Sequence, residues 1–190
     1  MQIISKIISN ILTALYQPFW FAVILSVLFM FVYKTHHSIK QAAKEWVRWF
    51  RSEPRFRRMF LLVFYTAMIL FRTLLNRNMW TNPVSNVIGI WGIYNEKGEL
   101  TTQSIENLVL FIPFVVLLLW AEREKLLPRV TIRSVLWKAT KITFAFSFSI
   151  EMLQLFLRLG TWQLSDLVYN TLGGTIGGLI YYAGYKLKNR

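Results

Sequence analysis

The sequence predicts an all-α integral membrane protein with about five transmembrane helices. Its N-terminus is expected outside and its C-terminus in the cytoplasm, with interfacial amphipathic helices flanking the first crossing. Three observations predict this. The 190-residue chain is 55% hydrophobic and only 16% charged, with a mean hydropathy of +0.41, whereas soluble domains are about 25% charged. Five stretches are apolar over roughly the 20 residues a bilayer crossing needs. Lysine and arginine gather on alternate connections between those stretches.

At the N-terminus, Ile3, Ile4, Ile7, Ile8, Ile11, Leu12 and Leu15 share one helical face, with Ser5, Lys6, Ser9, Asn10 and Thr13 opposite. This segment is expected to lie on the outer interface until Pro18 bends the chain inward. The first span is placed at Leu15–Tyr33. A cleaved signal peptide is not expected, because only Lys6 precedes this span and no small-residue cleavage site follows it. Next come His36 and His37, which are adjacent and remote from any spaced acid cluster, so no metal site is expected. Ser38-Ile39-Lys40-Gln41 has the capping-box pattern. It opens a second amphipathic stretch, with Ala42, Ala43, Trp46, Val47 and Phe50 on one face and Lys40, Lys44, Arg48 and Arg51 on the other. That stretch should end before Pro54. A basic face backed by aromatics suits a cytoplasmic helix resting on anionic lipid, with partner docking as the alternative.

The remaining spans are placed at Met59–Leu75, Ile105–Trp120, Val135–Leu159 and Leu167–Tyr185. The chain divides into residues 1–58, holding the first span and both amphipathic helices, and a four-helix membrane domain over 59–190. An outer connection, 76–104, joins the second and third spans. Within it, Asn95-Glu96-Lys97-Gly98, between Ile93-Tyr94 and Leu100-Thr101-Thr102, reads as a short hairpin turn. Cations cluster in the first connection (Lys34, Lys40, Lys44, Arg48, Arg51, Arg55, Arg57, Arg58) and around the third (Arg123, Lys125, Arg129, Arg133, Lys138, Lys141). A third group closes the chain (Lys186, Lys188, Arg190). This segregation orients the spans and accounts for the net charge of +13 without a nucleic-acid partner. With no cysteine, disulfides, thiolate metal sites and a cysteine nucleophile are excluded.

Polar residues inside the spans carry the functional signal. Glu151 lies about 12 Å inside the end of the fourth span at 1.5 Å per residue. A charge left in hydrocarbon there costs at least a few kcal/mol, so it must be paired, protonated or facing a wet cavity. Gln154 and Arg158 follow at i+3 and i+7 on the same face, and Ser147 extends it inward. The fifth span opens with Ser165-Asp166, where Asp166 suits an N-cap, and places Asn170 one turn further in. Gly173/Gly177 and Gly174/Gly178 form two small-xxx-small pairs that admit a close helix neighbour. Arg72 and Asn107 fall at the outer ends of the second and third spans, and Pro113 kinks the third. One outer layer is therefore expected to hold Arg72, Asn107, Glu151, Gln154, Arg158, Asp166 and Asn170 as ligand-binding candidates. The competing expectations are snorkelling arginines and a buried Glu151–Arg pair that only sets helix register.

The stretch from Ser149-Ile150-Glu151-Met152-Leu153-Gln154 through Arg158 to Ser165-Asp166-Leu167-Val168-Tyr169-Asn170-Thr171-Leu172-Gly173-Gly174 and Gly177 resembles the VanZ-like family of bacterial membrane proteins. Phe71-Arg72-Thr73-Leu74, Asn82-Pro83, Trp91-Gly92, Glu106-Asn107-Leu108 and Phe111-Ile112-Pro113-Phe114 agree with it, so the likeness runs from about Arg72 to Gly178. Val115 departs from the pattern, in which a glycine often follows proline-phenylalanine. The resemblance implies a multi-pass protein of the bacterial cytoplasmic membrane. It also implies a link to low-level resistance to the lipoglycopeptide teicoplanin, by a route that leaves the peptidoglycan precursor unrebuilt.

Three functions are compatible with these residues. The first is recognition of a polar lipid, a lipid-linked cell-wall component or a lipoglycopeptide antibiotic, with Arg72 and Arg158 meeting an anion. The second is a membrane enzyme using Glu151 or Asp166 as acid or base. No nucleophile–base pair, metal cluster or phosphate loop accompanies those acids, and Ser147, Ser149 and Ser165 have no histidine near them. The third is a transporter with Glu151 as proton relay, although no inverted repeat is evident. No cofactor, metal or nucleic acid is expected, and the oligomeric state is left open.

Overall fold

Gln17-Pro18 divides the N-terminal apolar run into two helices, α1 over Gln2–Tyr16 and α2 over Phe19–Lys34. Proline lacks the N–H that would continue the first helix, so the first apolar span starts at Phe19. This computed structural model describes residues 2–34, 39–79, 81–94 and 98–189. His36, His37 and Ser38, and with Ser38 the expected capping box, lie outside the described residues, as do Asn95, Glu96 and Lys97 of the expected turn. The flanks of that turn pair nonetheless, in an isolated bridge between Tyr94 and Leu100.

Six further helices follow: α3 (Ile39–Ser52), α4 (Pro54–Leu70), α5 (Gln103–Ala121), the short α6 (Arg123–Leu126), α7 (Ile132–Leu157) and α8 (Leu164–Lys188). α4 continues directly into a wider π turn over Phe71–Leu75. Pro54 opens α4 at a position where its missing N–H costs nothing. Thr131 and Ser134 close a reciprocal capping box on α7. Two of these helices, Pro54–Leu75 with its π turn and Gln103–Ala121, are long and apolar enough to cross a membrane. The other three expected spans are also helices: α2 is shorter, at 16 residues, while α7 and α8 are long and more polar.

α8 is the centre of the bundle, and its glycines determine how closely it is flanked. Gly173 and Gly177 lie against the carbonyl oxygens of Leu108 and Ile112, so α5 runs parallel to α8. Gly174 and Gly178 face Thr143 and Ala139, so α7 runs antiparallel on a second face. The two small-xxx-small pairs thus serve two different neighbours. Val115 is fully buried and lies against Gly177, so the missing side chain on α8 makes room for a valine on α5. The apolar core collects Ile69 from α4, Phe111, Phe114, Val115 and Leu119 from α5, and Val135, Ala139 and Ile150 from α7. On the far side of α4, Ala22 of α2 packs against Ala67 and Met68.

On α3, Trp46 stacks on Phe50 at 5.2 Å and meets Phe56 and Phe60 of α4 edge-on at 5.7 and 5.8 Å. The Trp46/Phe50 face, which the sequence assigns to lipid, is therefore covered in part by the protein's own α4. Arg57 donates to the last carbonyls of α3, at Phe50 and Arg51, and so fixes the bend at Pro54.

Candidate functional site

Four helix ends converge at one end of the bundle: the π turn after α4, the starts of α5 and α8, and the end of α7. The connection between α4 and α5 closes over them. Pro83 and Val87 accept from the backbone N–H groups of Trp162 and Leu164 at 2.8 Å each, and Ile90 donates to Ser165 Oγ at 3.1 Å. Gly89, at φ +76°, lies directly against the Ser165 side chain, where any Cβ would collide. Gln163 and Thr102 are the N-cap residues of α8 and α5.

Behind this cover lies a sealed polar layer. Glu151 and Gln154 are each 2% exposed. Glu151 Oε2 accepts from the Gln163 backbone N–H at 3.1 Å, and Gln154 Nε2 donates to the Thr73 carbonyl at 2.6 Å. The Asp166 carboxylate accepts from Gln103 Nε2 at 3.0 and 3.2 Å, and the same amide donates to Gln163 Oε1 at 2.9 Å. Asn170 donates to Ser147 Oγ at 2.8 Å. The carboxylates of Glu151 and Asp166 act on one another electrostatically, and Arg77 acts on both. Buried carboxylates are tolerable because donors and a nearby cation replace the water they lose.

In front of this layer lies an open cavity of about 430 Å³. Arg72 and Glu106 form an ion pair on its wall, Thr102 Oγ1 donates to Glu106, and Asn10 of α1 donates to Thr102 Oγ1 at 2.7 Å. Asn10, Thr13 and Gln17 line one side, Phe71, Asn76 and Arg77 another, and Gln103 and Asn107 the side nearest Asp166. Gln103 thus belongs to both the cavity and the sealed layer. The Asn107 amide lies beside the Asp166 carboxylate, yet its Nδ2 completes no hydrogen bond by distance and angle.

Of the candidate residues, Arg72 and Asn107 line the cavity, and Glu151, Gln154, Asp166 and Asn170 sit buried behind it. Arg158 does not join them. α7 ends at Leu157, and Arg158 turns into the left-handed region at φ +55° as the C-cap, with its side chain exposed. Because the helical i+7 spacing breaks there, Glu151 has Arg77 as its nearby cation instead. Asp166 is not the N-cap: α8 starts earlier, Gln163 occupies that position, and Asp166 falls in the first turn, where negative charge suits the helix dipole. Pro113 lies within α5, one turn beyond the Leu110 carbonyl that accepts from Tyr65 Oη at 2.9 Å.

Sequence reasoning missed Glu106 as partner of Arg72, the bridging amides Gln103 and Gln163, Arg77, and the contribution of α1. A usable signal existed for α1, since Asn10, Thr13 and Gln17 recur at i, i+3 and i+7 on one polar face. For Glu106, an acid in the first turn of a helix is so ordinary that it received no role of its own, although it stands in the Glu106-Asn107-Leu108 piece of the resemblance.

Apolar helices that retain a polar, ion-paired cavity among their ends define an all-helical bundle with a polar pocket at one end. Residues 19–185 match the VanZ/LLP1 family, and the chain belongs to that family. The match begins at α2 and so reaches well before Arg72, where the motif resemblance starts. Among curated proteins and among solved structures, nothing matches the chain.

Proposed function

We propose that this VanZ-family protein crosses the bacterial cytoplasmic membrane five times, by α2, α4, α5, α7 and α8, with the cavity opening in the outer leaflet. There it binds the polar group of a lipid or lipid-linked cell-wall component, and thereby lowers susceptibility to lipoglycopeptides such as teicoplanin. The cation-rich segments favour this orientation: Arg55, Arg58, Arg123 and Lys125 cluster around Trp120 and Glu122 at the opposite end of α4 and α5, the expected cytoplasmic side. One observation carries the reading, namely a cavity of about 430 Å³ with an Arg72–Glu106 ion pair and an amide-rich wall between apolar helices. Such concave sites with a few convergent polar groups are the usual form of a ligand pocket.

The reading is tested by the lipids that copurify with the full chain. One envelope lipid class should be enriched over the bulk membrane, and Arg72→Gln should abolish the enrichment. A copurifying lipid profile identical to the bulk membrane, in both proteins, would overturn it. A deletion strain should also become more sensitive to teicoplanin.

A further inference from the structure

We propose that the cavity takes a pyranose ring, the glycosyl head of a membrane lipid, rather than a bare phosphate. This deepens the reading above and rests on it. The charges argue first. The guanidinium of Arg72 is already met by Glu106, whose carboxylate would repel an incoming dianion. Arg77, exposed on the same wall, has the buried carboxylates of Glu151 and Asp166 within electrostatic range, so the cavity holds no unbalanced block of positive charge.

The rest of the wall offers paired neutral donors and acceptors. Asn10, Thr13, Gln17 and Asn76 line the cavity, and amides and hydroxyls match ring hydroxyls because each can both give and accept a hydrogen bond. Phe71 adds an aromatic face on which the C–H face of a sugar can lie. Asn107 supplies the most specific sign. It is 6% exposed, lines the cavity, and its Nδ2, though beside the Asp166 carboxylate, completes no hydrogen bond by distance and angle. A buried donor held so is incompletely satisfied, and a sugar hydroxyl in the cavity would give it a well-aligned acceptor. A volume of about 430 Å³ falls at the small end of ligand pockets, appropriate to one ring.

The test uses the full chain in phosphatidylcholine nanodiscs. These contain increasing monoglucosyl diacylglycerol, or phosphatidylglycerol at the same mole fractions, or carry free glucose in the buffer. The thermal unfolding midpoint is followed in each. The glucosyl lipid should raise the midpoint saturably and phosphatidylglycerol should not. Asn107→Leu should weaken the apparent affinity about tenfold. Thr13→Val, an isosteric change on exposed α1, should weaken it about threefold with folding intact, so the test survives a destabilised Asn107 variant. A response to free glucose and not to the lipid would support the sugar chemistry with its source in water. A response to phosphatidylglycerol alone would overturn the sugar assignment and leave head-group binding standing. Responses to none of the three would overturn the sugar assignment, and the copurifying lipid profile would then decide whether any head group binds.

Discussion

Gly177 offers the sharpest test of how the bundle is held together. A Cβ added there would come within 2.5 Å of the Ile112 carbonyl oxygen and 3.2 Å of Val115 Cβ. The first approach is roughly 1 Å short of ordinary van der Waals contact, and it is made to backbone, which no rotamer change can relieve. Gly177→Ala therefore has to push α5 and α8 apart along their whole contact. Overpacking of this kind costs about 1–3 kcal/mol, or a fall in the unfolding midpoint of roughly 2–12 °C for a chain of this length. The matching control is Gly184→Ala on the same helix, where an added Cβ meets nothing within 4 Å. It should be neutral or stabilising by up to about 1 kcal/mol, the helix-propensity gain of alanine over glycine. Adding Val115→Gly to Gly177→Ala should fail to restore the midpoint, because the Ile112 carbonyl remains in place. Thermal unfolding of all four proteins in one detergent checks the scheme. If Gly177→Ala unfolds at the wild-type temperature, or Val115→Gly rescues it, the close approach of these two backbones does not govern stability.

Other perturbations separate the remaining parts of the structure. Glu151→Ala should destabilise more than Glu151→Gln, by about 1–3 kcal/mol, because only glutamine keeps an acceptor for the Gln163 N–H; equal midpoints would contradict this. A double-mutant cycle of Arg72→Ala and Glu106→Ala should show a coupling of roughly 0.5–3 kcal/mol, and additive effects would mean that the ion pair contributes nothing. Asn10→Ala removes the tie from α1 to Thr102. It should speed hydrogen exchange over residues 2–16 while leaving α7 and α8 protected. For topology, green fluorescent protein at the C-terminus should fluoresce, and alkaline phosphatase fused after Tyr94 should be active; the reverse pattern would invert the orientation.

How much of the site was legible in the sequence depended on the range of the interactions involved. Glu151, Gln154, Asp166 and Asn170 could be recognised singly, because a polar residue in an apolar helix is conspicuous wherever its partner lies. The glycine spacing likewise announces close packing, though not that alternate glycines face different helices. Invisible were the pairings between distant segments: Arg72 with Glu106, Gln103 with Asp166, Asn10 with Thr102. Periodicity describes one helix at a time, and these contacts depend on which helix ends share a corner. Arg158 shows the opposite failure. Its spacing placed it on the Glu151 face only as long as the helix continued, and the helix stops one residue short.

The π turn after α4 has a further bearing on how this architecture can vary. The Asn76 N–H reaches back five residues to the Phe71 carbonyl at 2.8 Å, the spacing of a helix carrying one residue more than its regular winding needs. That surplus residue works as a spacer in the register. It lets α4 keep an uninterrupted apolar seam for α2 and α5 while Phe71, Arg72 and Asn76 swing round to the cavity and Thr73 offers its carbonyl to Gln154. Loss of any single residue between 71 and 75 would rewind this segment as ordinary helix and remove the bulge that turns these side chains to the cavity. Length, more than side-chain identity, is therefore the property of this short segment least free to drift.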